Sequence, residues 1–566
     1  MAQQQQNITV SAPGFQGLNT EDSPFQQDPS FCLVADNAVV DKAGRIGARK
    51  AWAEHTTAVN VTYTPAVGVD RTEIVTHRIG YANLPSGLTI LATVSVDQYD
   101  AANNVLQSDY FVCERVSGGS GALTLEEVTL PATGIASLPS LTDAQLVSFN
   151  DYLYILSASN SILRWDGTTL EDMEAATSYS PIYLNDVTSI KPTPDVGIGA
   201  YGRLWVTGVG GDYQTIYYSD LLIGEQWFDG RTTPGDPLNT AGAINVSKYW
   251  PGGSDRIVSL AAHNGFLYVF GRQSILIYEG VSGDPADVGG LTLRDAVLNI
   301  GCVSRDSVAN IGSDVLFVDD SGIRSVGRTI QEKSAAIGDY TYNIRTDVVT
   351  SLRAVDTPSG ISLAYIPNEN IVVLSIESED ICYVLDIRAP SQTGGYKATK
   401  WTDCRFNRIL YVESAGVEQT LLTAKVDSKG LLEYTSYFQY DGQSYLFRYQ
   451  STSLTFGQSA NLKFMKQVDF SAISTNNPTT AWGLWGYQGV LTNKKAFTVD
   501  GTPGSLFGSS IYGTALYGSR GSTTKRYRIN TRGSGESCSM GIEVEILGNS
   551  FNLQEINVQT LLGRII

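Results

Sequence analysis

Apolar and polar residues alternate along most of the chain, in short runs broken by Gly, Asn, Asp and Ser, which is the period-2 signature of half-buried strands. The clearest run covers residues 149–156. A polar stretch at 157–161 leads into a second alternating run at 162–167 that leaves through Asp166-Gly167, so the pair reads as a β-hairpin. The same cadence returns at 201–207 with 215–220 and at 264–270 with 275–280. Weaker copies follow at 313–317 with 323–326, 370–376 with 381–387, and 421–426 with 431–438; an earlier unit at 88–96, 110–116 and 123–130 has the same form. With Tyr154, Trp205, Tyr268, Phe317, Val373 and Glu433 as markers, the units recur roughly every 50 to 60 residues, the spacing of long propeller blades. No window of about 15 residues carries a capped helical stripe. Residues 67–443 therefore read as an irregular β-propeller of six or seven blades, in an all-β protein. Trp165, Trp205, Tyr154 and Tyr268 fall within strands, as packing between blades requires and as a glycan-stacking platform on loops does not.

The flanks differ. Residues 1–66 read as an N-terminal arm with docking strands; the first 31 are rich in Gln, Asn, Pro and Gly, lack periodicity, and are expected to gain structure only by docking on neighbours. After residue 443 the hairpin cadence stops. Strands are expected at 453–456, 463–470, 480–485, 524–530, 540–547 and 550–562, forming a β-sandwich-like C-terminal domain over 444–566. Its segment 505–518, glycines punctuated by aromatics, reads as a long ordered loop.

Composition narrows the function. A net charge of −18 argues against a surface that neutralises phosphates. No apolar run reaches the roughly 18 to 20 residues of a membrane helix, so no stable membrane insertion is expected, and the opening residues lack the basic and apolar regions of a secretory signal. Assembly in the cytoplasm is the expectation. Cys32, Cys113, Cys302, Cys382, Cys404 and Cys538 stand far apart without a C-x-x-C pair, and read as free buried thiols rather than disulfides or zinc ligands. His55, His77 and His263 lie in unrelated contexts, and no nucleophile elbow, phosphate loop or dinucleotide fingerprint accompanies them. Gly208 to Gly211 and Asp319 to Gly322 read as hairpin turns, the latter rather than a cation loop. The sialidase-type turn and an arginine trio in register are both missing from the pattern. The chain is thus expected to hold no catalytic, cofactor or metal site and not to be an enzyme.

Near the N-terminus stand Ala12-Pro13-Gly14-Phe15-Gln16-Gly17-Leu18-Asn19-Thr20-Glu21-Asp22-Ser23-Pro24, then Ala35-Asp36-Asn37-Ala38-Val39-Val40-Asp41, then Gly44-Arg45-Ile46-Gly47-Ala48-Arg49-Lys50-Ala51-Trp52. Phe551-Asn552-Leu553-Gln554-Glu555-Ile556-Asn557-Val558 and Leu562-Gly563-Arg564 lie near the other end. Together these resemble phage tail tubular proteins of the nozzle type, with Arg-Lys-Ala-Trp here in place of that family's Arg-x-Gly-Trp. The resemblance implies a virion protein of a short-tailed bacteriophage, a homohexameric distal tail tube through which DNA passes, with tail adaptor proteins and tail fibre or spike proteins as partners. It marks Gly14, Gly17, Asn19, Asn37, Arg45, Arg49 and Trp52 as assembly residues. Arg45 and Arg49 are expected to meet acids across a subunit seam, and Gly14, Gly17 and Gly44 to hold positive φ or allow close backbone approach. A tail adaptor or collar, a tail-associated glycan-degrading propeller enzyme, and a cytoplasmic peptide-binding propeller are the alternatives.

Overall fold

The computed structural model describes residues 5–565 apart from 86, 117–121, 130–140, 142, 159, 173–181, 185–187, 191–192, 225–226, 228–240, 282–290, 333–338, 356–357, 392–393, 405, 415–416, 425–429, 440–441, 475–477 and 500–523. The expected loop at 505–518 lies outside the described residues.

Among the described residues, seven mainly antiparallel sheets form a closed propeller. Their first strands are Val69–Leu84, Gln145–Phe149, Val196–Ala200, Ile257–His263, Val308–Asn310, Ile361–Ile366 and Phe406–Ser414. Each lies beside the first strand of the next sheet, and the seventh lies beside the first, which closes the ring. Buried residues of adjacent blades merge into shared clusters, with Trp165, Trp205, Tyr154 and Tyr268 all inside. The hairpins joining first and second strands use left-handed residues at the turn: Asn150 and Asp151 (φ 40° and 65°), Tyr201 and Gly202 (53° and 74°), Asn264 and Gly265 (49° and 80°). These are the angles of tight turns that match strand twist. The run at 149–156 is therefore a turn followed by one strand, Tyr152–Ser157, rather than a single strand.

Ring closure is non-local. Ala51–Glu54, which the sequence placed with the arm, is the outer strand of the seventh blade and pairs with Leu431–Ser436. The chain then runs to Val59–Asn60, which pairs in parallel with Leu123–Glu127 as the outermost strand of the first blade. Two short helices absent from the sequence reading, Val326–Glu332 and Arg345–Ala354, follow the fifth blade.

The remaining strands build a two-sheet platform. One sheet sets Phe551–Ile565 between Asn461–Ser474 on one side and both Gln5–Ser11 and Ile46–Ala48 on the other, with Lys525–Asn530 at its edge. The second contains Phe31–Asp36, Tyr445–Ser451, Cys538–Ile546, Thr479–Tyr487 and Val490–Val499, and is continuous through Gly17–Leu18 with the outer strand of the sixth blade, Tyr396–Thr402. Inner-face residues such as Phe447, Phe470, Ile542, Val544, Ile556 and Val558 share one core with Phe15 and Leu18 of the arm. The arm thus docks on its own chain. No helix among the described residues is long and apolar enough to cross a membrane.

Candidate functional site

The most concentrated polar chemistry sits where the seven first strands begin. Arg305 and Asp306, just ahead of the fifth blade's first strand, make contacts to every other blade. Asp306 Oδ2 accepts from Arg78 of the first blade at 2.8 Å, Asp306 Oδ1 is 2.8 Å from Arg408 Nη1 of the seventh, and the Asp306 carbonyl accepts from Leu363 N of the sixth at 2.9 Å. Arg305 Nη2 donates to the Asp143 carbonyl at the second blade (2.8 Å), and its Nη1 to the Asp195 carbonyl (2.9 Å) and carboxylate (3.1 Å) at the third. The Arg305 carbonyl accepts from Ser259 Oγ of the fourth blade at 3.0 Å. Burial pushes the Asp306 carboxyl up, but Arg408, Arg78 and Arg305 hold it well below the usual carboxylate range. An arginine trio that no sequence register revealed is therefore present, and its carboxylate partner is the protein's own.

Beside this cluster opens a cleft of about 330 Å³ lined by Asp143, Asp195, Tyr213, Arg256, Arg305 and Asp306. The Tyr213 hydroxyl donates to Asp195 at 2.8 Å, and burial with the Asp195 charge pushes the phenol up to about 12. At this hub four arginines, Arg78, Arg256, Arg305 and Arg408, stand against the carboxylates of Asp143, Asp195 and Asp306, and the ion pairs among them act as a tie between blades. Its one sequence signal is positional: Asp143, Asp195, Arg256 and Asp306 each stand within two residues of a first strand.

His55, in the crossing from the seventh blade to the first, is a second tie. Its Nε2 lies 2.9 Å from Glu114 and its Nδ1 3.4 Å from Glu433. Burial pulls the imidazole down, and the hydrogen bonds and charges of the two glutamates more than reverse this, holding it at about 9.

The expected assembly residues make contacts within their own chain. Asn37, at φ 52°, donates from Nδ2 to Leu446 O (2.9 Å) and Thr402 Oγ1 (3.0 Å), and its Oδ1 accepts from Thr402 N (3.1 Å), joining the sixth blade to the platform. Arg49 was expected at a seam. It is instead 1% exposed, gives its Nε to Asn37 Oδ1 at 3.0 Å, and stacks over Tyr445 (4.6 Å) and Trp401 (5.6 Å). Trp52 fills the core of the last two blades, 4.6 Å from Tyr434 and 4.7 Å from Phe406. Gly17 has φ +82° and passes so close to the Ala398 carbonyl that a Cβ would collide with it. Gly44, at φ +70°, meets Pro13 in the same way, while Gly14 N closes a turn on Ser11 O at 2.7 Å. Asn19 is buried and caps its own loop through Glu21 N (3.1 Å) and Asp22 N (3.2 Å). Arg45 pairs with Asp41 at 2.6 Å, within its own turn. All six cysteines are buried free thiols.

No protein-family model matches the sequence, and a search of curated proteins finds no match. Among solved structures the chain is similar to the Neurospora crassa Pan2 WD40 domain, at 9% identity and TM-score 0.32 over 64% of this chain and 90% of that one. It is also similar to Trypanosoma rangeli sialidase in complex with the inhibitor DANA (9%, TM-score 0.27, 92% and 97%) and to Penicillium chrysogenum alpha-L-arabinanase complexed with arabinobiose (10%, TM-score 0.29, 68% and 97%).

Proposed function

We propose that the chain is a non-enzymatic structural subunit of a short-tailed phage tail, assembled as a homohexameric distal tube that contacts tail adaptor and tail fibre or spike proteins. The observation that carries this reading is that the separated sequence segments which resemble nozzle-type proteins fold together. Residues 551–558 lie some 500 residues from 12–24 and 35–52 in the chain, yet Ile46 and Gly47 pair with Leu553 and Asn552, and Ala12 N donates to Gln554 O at 2.9 Å. A set of residues that forms one body is what selection on a platform would retain, whereas coincidental matches would scatter. DNA would travel between copies rather than along the propeller axis, because Arg305 and Asp306 tie all seven blades across the hub. Electron microscopy of the purified protein, alone and mixed with candidate tail neighbours, tests the reading: rings or tubes are expected, and isolated monomers in both samples would refute it.

A further inference from the structure

The charge of the chain is divided by domain. Residues 67–443 carry 45 acidic and 24 basic side chains, while residues 444–566 carry 6 acidic and 11 basic ones. Part of the basic excess is displayed on two neighbouring edge strands. Val490–Val499 and Lys525–Asn530 are the edge strands of the two platform sheets, each paired on one side only among the described residues, and they adjoin through Phe497 and Tyr527 at 5.1 Å. Lys494, Lys495, Arg526 and Arg528 are exposed along them, with Val490 59% exposed at the hairpin turn; Lys494, Arg526 and Arg528 pair with Glu543 (3.0 Å), Glu555 (2.8 Å) and Asp469 (3.1 Å) of the same chain, so these cations outnumber the acids beside them by one. Open edges of this kind template pairing with another chain.

A surface of opposite character lies on the first blade. Its first three strands have 16, 14 and 12 residues, against 4 to 7 in the second to fourth blades. The excess, residues 69–76 with 94–100 and 105–110, extends the sheet about 25 Å beyond Arg78 at the hub. With the two residues that precede it, this tongue carries Asp70, Glu73, Asp97, Asp100 and Asp109 against Arg71 alone. At its end Val67, Val105 and Leu106 are 106%, 49% and 55% exposed, which leaves apolar side chains at the tip of an acidic projection.

We infer that the first-blade tongue of one copy docks on the basic paired edge of the platform of a second copy, in a head-to-tail contact that repeats around a ring. The occupant follows from charge, since the tongue is the acidic, apolar-tipped projection and the platform edge is the basic, strand-open one. Distinct surfaces on the two partners make the contact heterologous, the type that gives a ring where its rotation closes. This deepens the tube reading and rests on it.

The test is sedimentation velocity of the full chain with charge reversals on each side. The variant Lys494→Glu/Lys495→Glu and the variant Asp70→Lys/Glu73→Lys should each weaken self-association about tenfold or more, most visibly at low salt. The chain carrying all four changes should recover it. Unchanged self-association in either two-site variant, or no recovery in the four-site chain, overturns the pairing and leaves the tube reading standing. A wild-type chain that is monomeric throughout overturns the tube reading itself. If Lys494→Glu/Lys495→Glu instead abolishes binding of a short labelled DNA duplex while self-association is intact, the edge serves nucleic acid and the inference fails.

Discussion

At the hub, the Asp306 side chain joins its own blade to two others. Its carboxylate is 6% exposed and stands between Arg78 and Arg408 from two other blades. Removing one member of such a buried set leaves cations without compensation, at a cost of about 3 to 5 kcal/mol. Asp306→Asn is expected to lower the urea midpoint accordingly, and an unchanged midpoint would show that the three arginines are solvated in place. His55 gives a pH dependence of definite sign. Its folded value is raised to about 9 from an unfolded value near 6.5, so its contribution is complete below about pH 6.5 and is lost as pH rises through about 9. Denaturation at pH 6 and pH 9.5 should differ in the wild type, and His55→Gln should flatten that difference. Neither residue stood out in the sequence, because the partners of each come from separate blades. Trp52 and Arg49 did stand out, but the string around them carries no sign that their neighbours are Trp401, Tyr434 and Tyr445.

At the level of elements, the hairpins were legible because alternation and turn chemistry agree locally. The limits were equally local. Alternation continues through Asn150-Asp151, which hid the first turn. Lys494-Lys495 interrupts the pattern of Val490–Val499, which hid an edge strand. Ala51–Glu54 is too short to announce itself, and its partner lies almost 400 residues away. The arm was misjudged for a related reason: Gln5–Ser11 is polar along its exposed side, yet it pairs over seven residues with Phe551–Ile565, and Phe15 and Leu18 enter the platform core. Deleting residues 1–30 should therefore destabilise the isolated chain by about 5 kcal/mol, given about 1.5 to 3 kcal/mol for each large apolar side chain withdrawn from the core. Thermal melting checks this, and a curve matching the full chain would restore the arm to an external role.

For the whole molecule, the propeller is tied at its hub, closed by its own N-terminal strand and continuous through the sixth blade with a two-sheet platform. The propeller carries the acidic excess and the platform the basic one, and among the described residues the two platform edge strands pair on one side only. On the tube reading proposed above, the excess of 45 acidic over 24 basic side chains in the propeller would disfavour adhesion of DNA in a bore that it lines. The central claim is that this subunit functions as a closed ring of identical copies. Native mass spectrometry of the full-length protein tests it most directly: a species at six times the 61.1 kDa chain mass is the expected result, and a single 61.1 kDa species at every concentration would contradict it.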